Sequence, residues 1–369
     1  EHLLKKFGEW KFFIEREVES MCTDLPSFDC IPFKYDHISG RIGYKFMDGY
    51  DYHLVYGYRT AFAYLHVEAT TGLKYKHHLH KHLQLGVRCG SFSYAKLKAP
   101  TILGVSGTIG MLGRNELSII RGFGITAYSV MPSVYGQSNL TYSVPGLTVS
   151  KTDDHFRDIV AQANAMVDPK AGRAVIVFFR DLRQLEDFKA SPYFNQLASK
   201  SILEEGLADQ ERDFAIRKAA TPRQVTLATA PFGRGTDFFC ADDRLEEAGG
   251  VHVLQAFLSA DASEDLQIQG RTARQGRKGT FSWILCEDDL KKFGVDVEGL
   301  RAQDFPTQRK TLEAARARLS DAGFKEVWER VKAADKADKL SHAYLDALLE
   351  GDQLLAAARF RELYEHEWR

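Results

Sequence analysis

Neither sign of charge is in excess: 49 lysines and arginines stand against 50 aspartates and glutamates in 369 residues, a formal net charge of −1. A chain that held nucleic acid or an anionic membrane by electrostatics alone would carry a marked surplus of positive charge, so that class is excluded. Long apolar runs are missing as well. The longest uncharged stretch, Gly122 to Ser150, is broken by Ser, Thr, Gly and Pro, and no segment reads as a membrane span. Cysteine is sparse: Cys22, Cys30, Cys89, Cys240 and Cys286 lie far apart with no CxxC spacing, which excludes a zinc ribbon and a disulfide framework. A reducing compartment follows as the expectation, the cytoplasm or an organellar interior. The chain opens Glu1-His2-Leu3 with no initiator methionine and no signal-like hydrophobic region, and is expected to be a piece of something longer.

What is present is ordinary for a packed protein. Apolar residues make up 44% and charged residues 27%, too apolar for a disordered chain. At about 150 residues per domain, two or three packed units are expected. Leu3, Leu4, Phe7, Trp10, Phe13, Ile14 and Val18 recur at helical spacing, predicting an amphipathic helix from Glu1 to Glu19. Asp29 to Tyr56 reads as two or three short strands punctuated by Gly40, Gly43 and Gly49, and Tyr58 to Thr71 as a helix. His77, His78, His80 and His82 follow; alternate histidines on one strand face could ligate a metal, but no Cys, Asp or Glu sits beside them. A solvated connector is the expectation there, and no metal.

From about Ala99 the texture becomes α/β. Apolar runs at Thr101 to Val105, Ala174 to Phe179, Val225 to Thr229, Val251 to Leu254 and Thr280 to Leu285 read as strands buried on both faces, hence a mostly parallel sheet covered by helices. The intervening helices are predicted at Asp153 to Val167, Asp181 to Lys189, Asp209 to Ala220 and Asp265 to Ala273. After Gly299 the strands cease, and Pro306 to Trp368 reads as two or three amphipathic helices with Trp328, Tyr344 and Trp368 in their core.

Two strings carry chemistry. Val225 to Ala230 runs into Pro231-Phe232-Gly233-Arg234-Gly235-Thr236-Asp237, and loops at the carboxyl ends of parallel strands are where such sheets bind ligands. The glycines allow close backbone approach to phosphate, while Arg234, Thr236 and Asp237 offer charge and hydrogen bonds. The second string is Gln267-Ile268-Gln269-Gly270-Arg271-Thr272-Ala273-Arg274-Gln275-Gly276. Arg271 and Arg274, three apart on a helical turn, would project from one face as paired planar donors suited to charge developing on a terminal phosphate.

The ordered set Ser106-Gly107-Thr108, then Gly233 to Asp237, then Gln267 to Gly276 resembles motifs III, V and VI of the superfamily 2 motors, and within them the SecA protein-translocation ATPases. The resemblance is strong over about Ala99 to Phe293, weaker over Ile31 to Ala99, and positional for the C-terminal helices. It departs from the family pattern at Ala230, where SecA-like chains usually carry Asn, and at Thr272-Ala273, where Ser-Gly is frequent. No Gly-Lys pair occurs anywhere, so the P-loop is missing, and so is the magnesium-holding Asp-Glu pair.

The resemblance implies an α/β fold: a RecA-like parallel-sheet motor domain with helices on both faces, preceded by a small α+β segment and followed by an α-helical tail. It divides the chain into a substrate-binding-domain-like remnant over 1–98, the end of a first motor domain and crossover over 99–140, a second motor domain over 141–300, and a helical scaffold-like region over 301–369. ATP and Mg2+ would be bound mainly by a region absent from this chain. Arg271 and Arg274 would contact the terminal phosphate; Gly233, Arg234, Gly235, Thr236, Asp237, Gln267, Gly270 and Gln275 would form the nucleotide and interdomain surface; Ser106, Gly107 and Thr108 would couple nucleotide state to the substrate domain. The implied partners are an upstream motor domain with the P-loop, unfolded polypeptide and a membrane channel, with no nucleic acid expected. Two alternatives stay open: half of a nucleic-acid helicase, against which the near-neutral charge weighs, and a non-catalytic scaffold, raised by Ala230 and the absent P-loop.

Overall fold

The computed structural model describes residues 8, 11–26, 33–46, 49–72, 90–93, 96, 103–205, 207, 209–238 and 242–367. The chain forms two compact units, Glu1–Leu103 with Lys325–Arg369, and Gly104–Phe324. The histidine cluster at 77–82 lies outside the described residues, as do Cys30, Cys89, Cys240 and Trp368.

In the first unit, helix α1 (Lys11–Asp24) precedes strands β1 (Phe33–Asp36), β2 (Arg41–Phe46) and β3 (Gly49–Asp51), an antiparallel sheet in that order, and helix α2 (Tyr58–Thr71). Ala63, Tyr64 and Val67, at helical spacing on α2, bury against Ile42 and Tyr44 of β2, which alternate onto one sheet face. The Tyr44 hydroxyl donates to Thr60 Oγ1 at 2.8 Å, satisfying both buried groups.

Around the start of the second unit, at Gly104, the chain is extended. Leu103 and Val105 are 91% and 104% exposed and belong to no strand, against the strand expected over Thr101 to Val105; among the described residues no neighbouring strand pairs with them. Helix α3 (Arg114–Gly122) follows, and then β4 (Asn139–Ser150), α4 (His155–Val167), β5 (Val175–Phe179), α5 (Leu182–Ala190), β6 (Lys200–Leu203), α6 (Asp209–Ala219), β7 (Val225–Thr229), α7 (Asp243–Glu247), β8 (Val251–Gln255), α8 (Ala262–Gln269) and β9 (Lys278–Cys286). The six strands from β4 onward form one sheet of order β4-β9-β8-β5-β7-β6, every pair parallel. This is the double-covered α/β sheet that the continuous apolar runs predict. On β5, Val175, Val177 and Phe179 face α4 and α5, while Ile176 and Phe178 face the opposite core with Phe281 and Ile268, so strand alternation builds two layers from one run.

Strands β4 and β6 are not in the sequence reading. The edge strand β4 lies within the uncharged stretch Gly122 to Ser150 and holds Pro145, which sits inside the register shift between Tyr142 and Leu147, where no ladder bond needs its missing N–H. The strand β6 is short and polar, with Lys200 and Ser201 in an edge position.

Helices α9 (Glu287–Lys292) and α10 (Val297–Arg301) close the sheet, and one helix of 45 residues, α11 (Phe305–Leu349), then crosses the boundary of the two units before α12 (Gln353–Glu367). The two or three helices expected are thus two. Trp328 is 39% exposed, not a core residue, whereas Tyr344 packs with Phe360 and Tyr364.

His252 on β8 is fully buried, its Nδ1 2.8 Å from Thr280 Oγ1 and its Nε2 3.0 Å from Ser282 Oγ. Burial, reinforced by the nearby Arg173 cation, lowers its pKa from 6.5 to about 3. The folded state keeps a neutral ring while the unfolded chain takes up a proton below pH 6.5, so this contribution to stability is full above 6.5 and is lost as pH falls toward 3. Urea midpoints should therefore fall between pH 6.5 and about 5 more steeply in the native chain than in His252→Asn.

Candidate functional site: an arginine-lined cleft

The two strings meet, but not in the place the sequence suggests. After β7 the chain makes a 3-10 turn, Ala230–Gly233, and Gly233 is buried against Ile268 of α8, where a Cβ would fall 2.5 Å from Ile268 Cγ1. From there it runs back to Asp237, and Phe238 re-enters the core, its ring 6.4 Å from Phe178. The loop thus begins at the carboxyl end of β7 and ends in a cleft walled by Val251 and Lys278, the first residues of β8 and β9. The chemistry-bearing residues gather at the amino-terminal edge of the sheet, a correction to the carboxyl-end site expected.

The arginines also leave the helix. α8 stops at Gln269 with Gly270 as its C-cap, so Arg271 and Arg274 lie on a loop rather than on a helical turn. Ala273, Gln275 and Gly276 adopt positive φ of 52°, 52° and 79°, and this left-handed winding turns the guanidiniums toward one cleft. Each such non-glycine residue costs about 1 kcal/mol, a strain that packing must offset. Two contacts do so: Thr272 Oγ1 donates to the Val251 carbonyl at 2.7 Å, and Gly279 leaves room for Thr272, whose Oγ1 would lie 2.1 Å from an added Cβ.

Arg271 donates through Nε to the Gln267 carbonyl at 2.9 Å and through Nη1 to the Thr236 carbonyl. Burial lowers its pKa, Arg274 lowers it further, and Asp237 opposes both. Arg274 Nη1 lies 2.5 Å from Asp237 Oδ1, with the two side chains 39% and 56% exposed, so solvent screens this pair. Arg277 and Lys278 line the same cleft, which is open to solvent. Neither figures in the sequence reading, which stops at Gly276; the signal was the basic run Arg274, Arg277, Lys278. Arg277 Nη1 also lies 3.6 Å from Asp243 Oδ1; together these planar and point cations offer the donors that a polyanion would need.

The remaining residues divide clearly. Gly235, at φ +67°, turns the loop. Gln275 lines the cleft. Gln267 holds Arg271 through its backbone, and its side-chain Oε1 is buried with no hydrogen-bond partner among the described residues. Arg234 lies 3.7 Å from Glu264 on an exposed face. Ser106, Gly107 and Thr108 are not drawn into this constellation: Ser106 Oγ accepts from the Thr108 amide at 3.2 Å in a local turn. Among the described residues no group of three or more His, Cys, Asp or Glu could hold a metal ion, and no helix is long and apolar enough to cross a membrane.

No protein-family model matches the chain. It is similar to SecA-type translocase subunits over part of its length. SecA of Syntrophus aciditrophicus is 29% identical over 161 residues, 42% of this chain and 19% of that protein. SecA 2 of Geobacillus thermodenitrificans is 26% identical over 203 residues, 54% of this chain and 25% of its own length. SecA 3 of Magnetococcus marinus is 35% identical over 105 residues, 26% and 16% of the respective chains. The match therefore spans no more than a quarter of each of these relatives. Among solved structures, domain 2 of the DEAD-box helicase Mss116p, bound to an RNA duplex, is 16% identical with a TM-score of 0.32, over 41% of this chain and 59% of that one.

Glycine substitutions test how the loop is held. Gly233→Ala must displace fully buried Ile268 and should cost about 1–3 kcal/mol by overpacking. Gly235→Ala meets no atom within 4 Å but keeps a left-handed backbone, and should cost about 1 kcal/mol. Urea unfolding of the two variants measures the difference.

Proposed function

We propose that this chain supplies the arginine-finger side of an ATP site in a SecA-like protein-translocation motor, opposite a separate domain carrying the P-loop and the magnesium ligands. The convergence of Arg271 and Arg274 on one open cleft carries this reading. Polyphosphate fits the donors present: Arg271, Arg274, Arg277 and Lys278 would bind it. When bound, ATP with its magnesium supplies the transferable phosphoryl group. Arg274 holds the charge of that group, Arg271 is held against Thr236 and Gln267, and Asp237 keeps Arg274 in place when no anion is there.

In this reading 99–140 closes the first motor domain, 141–300 is the second, 301–369 begins a helical scaffold, and 1–98 belongs to the substrate-binding region, with Ser106 to Thr108 relaying nucleotide state. The exposure of Leu103, Val105, Val130, Met131 and Val134, at 91%, 104%, 79%, 85% and 92%, supports a partner domain covering that apolar segment. Unfolded polypeptide is the substrate, driven into a membrane channel.

Turnover of ATP by this chain alone should be negligible, and should appear on adding a SecA P-loop domain; robust hydrolysis by the chain alone would sink the half-site reading. In the mixture, Arg274→Ala should lower the rate by about 10³-fold. Asp237→Asn should tighten tripolyphosphate binding by up to about fivefold, read by calorimetry. Binding of single-stranded RNA with a steep salt slope, and none of unfolded polypeptide, would favour a helicase instead.

A further inference from the structure

Apart from the cleft, the second unit buries one strong ion pair. Arg316 on α11 and Asp265 in the first turn of α8 are in direct contact with side chains only 10% and 4% exposed. Arg316 Nε also donates to the Ser259 carbonyl at 2.8 Å. Gln255, at the end of β8, donates to Asp265 Oδ1 at 2.6 Å and to Ser259 Oγ at 3.1 Å. One guanidinium therefore ties α11, α8 and the segment after β8 together. Leu312 and Ala315, adjacent on α11, are buried in the same core, so the arginine is presented from a seated helix turn.

Buried ion pairs are poor sources of stability, because desolvation offsets most of the attraction; well-packed apolar residues often do as well. What the pair supplies is a fixed direction. Asp265, Ile268 and Gln269 share a face of α8 at spacings of three and four. Ile268 fills the space over Gly233, Gln269 Oε1 accepts from the Tyr142 hydroxyl at 3.2 Å, and the Gln267 carbonyl holds Arg271. A rotation of α8 about its axis would move all three.

We infer that Arg316 is a positioning residue: through Asp265 it sets the seat of α8, and so the placement of Arg271 and Arg274. What that placement serves rests on the ATP-site reading; the linkage itself does not.

Amide hydrogen exchange of the full chain tests it. The amides of Gly270, Arg271 and Arg277 donate to Leu266, Ile268 and Arg274 at 2.9, 3.0 and 2.9 Å and report the loop directly. Arg316→Lys keeps the charge but cannot hold Ser259 and Asp265 with one planar fork, and should speed exchange at these amides by about tenfold while those of β5 and β7 stay unchanged. The double substitution Asp265→Leu/Arg316→Met removes the buried charges; it should recover the native Tm and still leave the loop exchanging about tenfold faster. Native exchange at the three amides in either variant overturns the inference. Tripolyphosphate titration separates the two readings: weaker binding in Arg316→Lys joins them, whereas no binding by the native chain defeats the ATP-site reading and leaves the exchange result standing.

Discussion

Ile268 leaves no room for a side chain at position 233, and that contact fixes the loop leaving β7 against α8. The loop is pinned a second time by Phe238, buried in the core near Phe178. Between these pins the segment Arg234 to Asp237 has few ways to run, and it runs where the Thr236 carbonyl and the Asp237 carboxylate reach Arg271 and Arg274. Two strings some thirty-five positions apart become one site through these two packing contacts and the bonds between the strings.

The arginine loop bears a complementary cost. Its left-handed residues Ala273 and Gln275 are conformations that an unconstrained chain would leave, and Thr272, bonded to the Val251 carbonyl, holds them. Such strain is kept where a side chain must be aimed. It also explains why Thr272-Ala273, a departure from the Ser-Gly pair frequent in SecA-like chains, is compatible with the loop: the threonine hydroxyl serves as the anchor and Ala273 carries the smallest Cβ penalty.

The parallel sheet was legible because four of its strands are continuous apolar runs, buried on both faces. β4 and β6 were not, since edge strands need no such run and can hold Pro145 or Lys200. Arg271 and Arg274 were legible from the motif, but their setting was not: helical periodicity carries no mark of the left-handed turn after Gly270. The Arg316–Asp265 pair was out of reach, because two charges fifty-one positions apart read as solvated faces until the fold buries them.

Near-zero net charge excludes a globally basic binder, yet the exclusion stops at the surface average. Charges farther apart than about 8 Å are screened from one another in physiological salt, so a cleft responds to its own lining. Here the lining holds Arg271, Arg274, Arg277 and Lys278 against Asp237, with Asp243 3.6 Å from Arg277, so a local cationic excess sits within a chain of near-zero net charge. The half-buried Arg271 feels this most, its proton loosened by burial and by Arg274 and held by Asp237. In the proposed ATP-site reading, an anion entering the cleft would replace Asp237 as the partner of Arg274 and relieve the repulsion between the two arginines at once. The neutral whole and the cationic cleft are therefore compatible.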